Sequence, residues 1–226
     1  MQLDLALSEL KAAGDAEDAV GAAAYHNAPR IYLGVRNPVV DEMVKRWRGE
    51  LDTSARVELA RNLWDTDIHE AMIAASKLLT QARIRDDGDV WRLVASWVPG
   101  LDAWAIADHA AGAGSRRLIA DPARLDEIEA WTTHENFWVR RAALVITLPW
   151  AKQNFPKRHE VEARERILGW AAGYVEDREW FIQKAIAWWL RDLSKRDPHR
   201  VRAFLDQHGE AMKAFARKEA GKYLTA

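Results

Sequence analysis

The sequence predicts an all-α fold built from short helices with short connections. Ala and Leu are abundant, Val, Ile and Thr rarely cluster, and apolar residues recur at spacings of three and four rather than two. This periodicity is typical of amphipathic helices and argues against strands. About a dozen helices without a long linker favour consecutive antiparallel helix pairs stacked as an α-solenoid, with a globular helical bundle as the alternative.

The helices can be located from capping residues and from their apolar period. Two helices are expected before residue 30, and further starts are predicted at Asn37-Pro38, Asp121-Pro122 and Asp197-Pro198, where a capping oxygen precedes a proline. The other helices are predicted near residues 53–64, 67–83, 89–98, 101–112, 135–148, 160–175, 178–195 and 210–223. Stacked in pairs, these helices form a HEAT-like repeat array with a concave groove.

Length and composition indicate one folded domain over residues 1–226. The chain is 49% hydrophobic and 30% charged, which is ordinary for a globular protein. It has no cysteine, which excludes disulfides and thiolate metal sites and favours a reducing compartment. The start of the sequence does not resemble a signal peptide, and no apolar run has the length of a membrane span. We therefore expect a cytoplasmic protein without membrane contact, and a monomer.

Charge is distributed unevenly along the chain. The net charge of -1 argues against a strongly basic nucleic-acid-binding domain. Residues 184–226, however, contain ten Lys or Arg against five Asp or Glu, a net +5, so residues 1–183 carry -6. Such a basic end suffices for phosphate contacts, although it is also compatible with a solvated surface that has no partner.

The segment from residue 179 to 195 separates into two faces on a helical wheel. Its apolar stripe comprises Ile182, Ile186, Trp189, Leu190 and Leu193. Trp188 lies off this stripe, among Lys184, Arg191 and Lys195. Cations bind phosphates and a flat indole packs on a sugar or base, so this face is a candidate nucleic-acid surface. The alternative is a solvated basic face whose tryptophan packs on a neighbouring helix.

Trp104 and Asp108 are four residues apart and therefore adjacent on one helix face. The segment around them is otherwise small or apolar, where a carboxylate is costly to bury unless it has a hydrogen-bond or cationic partner. Asp108 is thus a candidate active-site acid. The alternative is a partly exposed aspartate that hydrogen-bonds locally.

Arg141 is embedded in an apolar segment, on the same arc as Phe137, Leu144 and Leu148. A guanidinium in this position needs an anionic partner, either a protein carboxylate or a phosphate. Both interpretations stay open from the residues alone.

Motifs for metal or nucleotide cofactors are not supported. His69, His109, His134 and His159 do not form an HExxH or another close ligand pattern, and there is no Gly-rich phosphate loop or GxSxG elbow. We expect neither a metal nor another cofactor.

From about Tyr25 to Leu224 the sequence resembles the AlkD family of HEAT-like-repeat alkylpurine DNA glycosylases. The segments that carry the resemblance are Tyr25 with residues 32–38, residues 63–65, the Trp104 and Asp108 pair, residues 137–143, residues 181–188 and residues 217–224. The stretch Phe-Ile-Gln-Lys-Ala-Ile followed by a tryptophan, within residues 181–188, is the most specific of them.

The resemblance implies a repeat superhelix whose concave groove binds duplex DNA containing alkylated bases. It implies excision of cationic purines such as 3-methyladenine and 7-methylguanine, which leaves an abasic site. Asp108 would then be the catalytic carboxylate, with Trp104 and Trp188 as aromatic walls beside the lesion and Tyr25 completing the cleft.

The same resemblance implies that Arg141 positions DNA, and that the basic C-terminal helix with Arg217 and Lys218 contacts it. Two alternatives remain from the sequence. One is a non-catalytic HEAT-repeat scaffold, and the other is a paralogue that binds DNA structure without releasing a base.

Overall fold

The structure, a computed structural model, describes residues 2–224. This range contains fourteen α-helices with short 3-10 turns, and its β-pairing is limited to one isolated bridge between Ile31 and Ile68. The all-α prediction is confirmed. None of the described helices combines the length and apolar character that a membrane crossing requires.

Backbone contacts divide the chain into two compact units, one ending at Ala120 and one beginning at Asp121. The single domain over residues 1–226 stays a prediction. The helices of the first unit are α1 (Leu3–Ala12), α2 (Ala16–His26), α3 (Asn37–Glu50), α4 (Thr53–Trp64), α5 (His69–Leu79), α6 (Gly88–Trp97) and α7 (Trp104–Ala120). Those of the second unit are α8 (Leu125–Glu129), α9 (Phe137–Val145), α10 (Leu148–Ala151), α11 (Arg158–Gly173), α12 (Trp180–Ser194), α13 (Pro198–His208) and α14 (Ala214–Ala220).

In the first unit α5 is the central helix. Nearly all its side chains are buried, because α3, α4 and α7 pack around it. A helix that is apolar or small almost all round is typical of an interior position. As a result, the polar residues His69 and Glu70 at the start of α5 are buried as well.

In the second unit α12 has this central role and packs against α9, α10, α13 and α14. The apolar stripe predicted for it is confirmed. Its members Ile182, Ile186, Trp189, Leu190 and Leu193 are all buried. The indole Nε1 of Trp189 donates to Thr147 Oγ1 at 3.1 Å, which satisfies the polar atom of a fully buried ring.

Two of the three predicted proline-flanked caps are confirmed. Asp197 accepts from the Arg200 amide at the start of α13, and Asp121 accepts from the Ala123 amide, although a 3-10 turn precedes α8 there. The prediction at Asn37 is wrong, since Arg36 is the N-cap of α3, without a side-chain bond, and Asn37 is already helical.

Four predicted helices differ from the observed ones by three residues or more at one end. The helix predicted over residues 67–83 is α5 and ends at Leu79, and the one predicted over residues 210–223 is α14 and spans Ala214–Ala220. The helix predicted over residues 101–112 is α7, which continues to Ala120, because its small residues pack against α5 and compensate for its glycines. The helix predicted over residues 135–148 ends at Val145, and Pro149 lies in the first turn of the separate α10, where a missing amide hydrogen is tolerated.

Candidate functional site

The first unit contains a cleft of about 200 Å³ into which Trp104 and Asp108 project. Both residues belong to α7, and both are half-buried. The remaining lining residues are His26, Asn37, His69, Ile73, Ala105 and His109. The predicted adjacency of Trp104 and Asp108 on one helix face is confirmed, and the structure adds three histidines that the sequence patterns did not connect to it.

Aromatic rings form the walls beside Trp104. Its indole lies 5.8 Å from the Tyr25 ring in an edge-to-face arrangement and 5.1 Å from the tilted His26 ring, measured between centroids. His26 in turn lies 4.3 Å from His69. Tyr25 is 73% exposed, so a large apolar and aromatic surface borders the mouth of the cleft. The structure therefore brings Tyr25 and Trp104 together, as the resemblance implied.

A buried carboxylate holds the loop that carries the chain past this cleft. Glu70 of α5 accepts hydrogen bonds from the amides of Leu33, Gly34 and Val35, at 2.9, 2.8 and 3.3 Å. Gly34 has a φ of +74°, and a Cβ at this residue would lie 2.0 Å from the Asp15 carbonyl oxygen, so only glycine fits. These contacts fix the segment between α2 and α3 against α5.

A second buried side chain ties the same loop to the start of α7. Arg30 is buried, and its Nη2 donates to Asp102 Oδ2 at 2.6 Å, while Nη1 contacts the sulfur of Met72 at 3.0 Å. Asp102 lies two residues before the start of α7 at Trp104. The position of Trp104 is therefore coupled to the loop that follows Tyr25 and His26. Arg30 was not singled out from the sequence, because its partner is far along the chain.

Burial keeps the histidines of the cleft neutral. It lowers the pKa of His69 to about 3, with further lowering from nearby His26, Arg30 and His109. It lowers the pKa of His109 to about 4, an effect to which Lys77 adds. The pKa of His26 is also lowered by burial. The histidines that line the cleft are therefore neutral at neutral pH, and Asp108 is the carboxylate among the eight residues that the structure places around it.

The histidines do not amount to a metal site. Within residues 2–224 there is no group of three or more His, Asp or Glu side chains with suitable geometry to hold a metal ion. His69 is only 4% exposed, and its Nδ1 has no hydrogen-bond partner among the described residues. The Nδ1 atom of His26 is likewise buried without a hydrogen-bond partner among the described residues.

In the second unit Trp188 lies off the buried stripe of α12, as predicted, and is half-buried. The ammonium of Lys152 lies 5.9 Å from the centroid of its ring. This cation–π contact shows that the indole face is within reach of a positive group. Trp188 therefore combines an accessible ring with a nearby cation.

The cations around Trp188 are more extensively paired within the protein than the sequence suggested. Glu219 of α14 bridges two of them, accepting from Lys184 Nζ and from Arg191 Nη1, each at 2.6 Å. Lys195 lies 3.8 Å from Asp192 Oδ1 and 4.4 Å from the Tyr223 ring centroid. Local spacing in the sequence does not indicate that Glu219 of this basic helix contacts α12.

Two of the predicted basic residues, Arg217 and Lys218, are exposed on α14. Arg141 is 3% exposed, which confirms that it is embedded. Its Nη1 donates to the carbonyl oxygen of Phe181 at 3.1 Å, and its guanidinium carbon lies 5.7 Å from the Phe181 ring centroid. A role of Arg141 in positioning DNA stays a prediction.

The comparison with protein families identifies one family. A family model described as DNA alkylation repair enzyme matches residues 6–224. No curated protein sequence matches the chain.

Solved structures show the same fold at low sequence identity. A protein described as a predicted DNA alkylation repair enzyme from Enterococcus faecalis is 23% identical, with a TM-score of 0.78 over 94% of this chain and 97% of its own. AlkD2 from Streptococcus mutans is 20% identical, with a TM-score of 0.61 over 83% of this chain and 89% of its own. The all-helical repeat fold is shared with these proteins, and the match over nearly the whole sequence shows that the chain belongs to the DNA alkylation repair enzyme family.

Proposed function

We propose that the protein is a DNA glycosylase that hydrolyses the N-glycosidic bond of cationic alkylated purines, such as 3-methyladenine and 7-methylguanine, in duplex DNA. The cleft of the first unit supplies the chemistry. One carboxylate, Asp108, lies in it beside the Trp104 ring, and the neighbouring histidines are neutral. This single observation carries the proposal, because a cleft that combines a carboxylate with aromatic walls favours a positively charged nucleotide.

The walls favour a cation through its attraction to aromatic faces, and this attraction is strongest for tryptophan. Trp104 is placed for that role, with Tyr25 and His26 beside it. If His69 and His109 carried protons at neutral pH, two positive charges would oppose both the cation and the carboxylate. Their burial removes this conflict, since their pKa values of about 3 and about 4 leave them uncharged.

The hydrolysis needs one carboxylate and little acid assistance. Alkylation at N3 or N7 gives the purine a positive charge, so the electron pair of the breaking C1′–N bond neutralises the leaving base. Positive charge develops on the sugar at the same time, and Asp108 stabilises it electrostatically. A water molecule adds its oxygen to C1′, and its proton passes by way of the carboxylate to solvent. The products are the free alkylated base and an abasic site.

The second unit contributes DNA contacts in this proposal. Trp188 packs on the DNA as an aromatic surface of this unit, and Arg141 positions the backbone. Lys184, Arg191, Lys195, Arg217 and Lys218 provide phosphate contacts, of which the exposed Arg217 and Lys218 are the most accessible.

The test is release of 7-methylguanine and 3-methyladenine from methylated duplex DNA, measured for the wild type and for Asp108→Asn. We expect the variant to be slower by about a hundredfold or more, the usual cost of removing one electrostatic stabiliser of a transition state. DNA affinity and the unfolding midpoint should change little. A matched control is Asp89→Asn, which alters an exposed carboxylate on α6 that pairs with Arg92; its rate should equal that of the wild type.

The outcomes separate the proposal from its alternatives. Release by the wild type alone supports the glycosylase and the role of Asp108. DNA binding without release by either protein would favour a structure-sensing paralogue, and absence of both would favour a scaffold. Loss of folding in Asp108→Asn would instead make Asp108 a structural residue.

A further inference from the structure

Phe155 is the most exposed large hydrophobic side chain in the part of the chain that the structure describes, with 95% of its surface accessible. It lies in the second unit, between the end of α10 at Ala151 and the start of α11 at Arg158. A phenylalanine in water gives up the free energy that its burial would provide. An aromatic side chain at a loop tip is therefore unfavourable for folding and needs another explanation.

The loop that presents Phe155 is anchored on both sides. Before it, the Gln153 carbonyl oxygen accepts from Arg164 Nη2 at 2.7 Å, and Gln153 Nε2 donates to Glu160 Oε1 at 2.6 Å. After it, the Lys157 amide donates to the other oxygen of Glu160, also at 2.6 Å. Pro156 has a fixed φ and keeps the preceding residue extended. The ring is thus displayed from a preorganised backbone, which reduces the entropy lost when it binds a partner.

The same loop is strongly basic. Residues 152–159 read Lys-Gln-Asn-Phe-Pro-Lys-Arg-His and contain three cations and no carboxylate. Lys152 and Lys157 are exposed, and the ammonium of Lys152 also lies 3.4 Å from Asp192 Oδ2. Arg158 pairs with Glu162 at 3.0 Å, where both side chains are largely exposed and the pair is weak. Exposed cations on both sides of an aromatic tip complement an anionic polymer that also has flat apolar groups, which is the chemistry of a nucleic acid.

Lys152 connects this loop to Trp188, because its ammonium lies 5.9 Å from the Trp188 ring centroid. Phe155 is three residues further on, so its Cα lies at most about 11 Å from that of Lys152. This reach corresponds to about three base pairs of duplex at 3.4 Å each. A duplex that contacts Lys152 beside Trp188 can therefore meet Phe155 within the same stretch of its helix.

We propose that the loop of residues 152–157 is a second DNA-contacting element, in which Lys152 and Lys157 bind phosphates and Phe155 enters the minor groove and wedges against a base step. The inference rests on the proposed function only in that the partner is duplex DNA. It requires no base release. Phe155 acts as a positioning residue that holds the duplex locally unstacked.

The experiment measures binding of the full chain to undamaged duplex DNA by fluorescence anisotropy over a range of salt concentrations. Phe155→Ala should weaken binding about fivefold or more, in the range found when a stacking aromatic is removed, with the salt dependence unchanged. Phe155→Trp should restore affinity. Lys157→Ala should lower the slope of log affinity against log salt by about 0.9, the value for one phosphate contact. Leu5→Ala, at a 52% exposed apolar residue of α1, is the matched control and should bind like the wild type.

A second measurement detects directly whether Phe155 unstacks the bases. In a series of duplexes with 2-aminopurine at successive positions, its fluorescence should increase on protein binding when the probe lies at the unstacked step, because unstacking relieves quenching. Phe155→Ala should abolish this increase. Equal affinity of the wild type and Phe155→Ala for DNA would overturn the proposal. So would loss of binding to anionic phospholipid vesicles in that variant while DNA binding is retained, since the loop would then serve a membrane. If the wild type binds undamaged DNA in a Phe155-dependent manner but releases no methylated base, the proposed function fails and this inference stands.

Discussion

The free energy of unfolding of the first unit should fall steeply as the pH drops from 7.5 to 5. The reason is that the cleft histidines bind protons in the unfolded chain over this range but stay neutral in the folded protein. Burial holds the pKa of His69 at about 3 and that of His109 at about 4 in the folded protein. In the unfolded chain both return to about 6.5. Below pH 6.5 the unfolded state therefore binds more protons than the folded state, and the free energy of unfolding decreases with decreasing pH.

The magnitude follows from these two pKa differences. With a folded pKa of about 4 against an unfolded value of about 6.5, one histidine removes about 2 kcal/mol of stability between pH 7.5 and 5. His69 and His109 together remove about 4 kcal/mol, a large part of the stability of an ordinary domain. His26 acts in the same direction, since its pKa is also lowered. The carboxylates with lowered pKa values, such as Glu129 and Glu160, lose their contribution only below about pH 5, so the window isolates the histidines.

Urea unfolding followed by far-ultraviolet circular dichroism, repeated at half-unit steps of pH, measures this dependence. His69→Gln and His109→Gln should each remove about 2 kcal/mol of the change between pH 7.5 and 5, whatever their stability at pH 7.5. Gln207→Asn, at an exposed residue of α13 without a titratable side chain, is the matched control and should leave the slope unchanged. A free energy of unfolding that is flat over this range, or an undiminished slope in the double variant of His69 and His109, would refute the assignment of neutral buried histidines.

Three further predictions concern single residues. Glu219→Gln removes the carboxylate that bridges two cations of α12, so DNA affinity should rise. The slope of log affinity against log salt, measured by anisotropy, should steepen by up to about 1.8. An unchanged slope would mean that these cations do not contact DNA. Gly34→Ala should cost at least about 1–3 kcal/mol in urea unfolding because its φ is positive, whereas Gly21→Ala, with open space around it, should be neutral or stabilising. Glu70→Gln weakens three bonds to backbone amides and should cost about 1.5–3 kcal/mol in the same assay; a smaller loss would mean that the loop is held by other contacts.

The parts of the fold that depend on local chemistry could be predicted from the sequence. The helix over residues 53–64 has the predicted bounds, because Asp52 caps it and its apolar period is regular. The bounds of α7 were missed, since its glycines end a helix by local propensity but are outweighed by packing against α5. Packing between helices that are distant in the sequence cannot be predicted from a short stretch of residues.

The candidate site was predictable to the extent that its residues share one helix. Trp104 and Asp108 are four residues apart on α7, so their common face follows from the helical period. His26 and His69 come from α2 and α5, and only the fold brings their rings within 4.3 Å. The pairing of Lys184 with Glu219 was missed for the same reason, since 35 residues separate them.

The ion pair between Arg30 and Asp102 changes how the first unit can open. In a repeat array each helix pair contacts only its neighbours, so the end of the stack can fray one repeat at a time. Arg30 follows α2, yet it closes onto a residue 72 positions later, just ahead of α7. Separating α2 from α7 therefore requires breaking the contact between the buried Arg30 guanidinium and the half-exposed Asp102 carboxylate, which links two helices that are distant in the sequence. The segment from α2 to α7 consequently behaves as one cooperative opening unit rather than as a succession of loosely coupled layers.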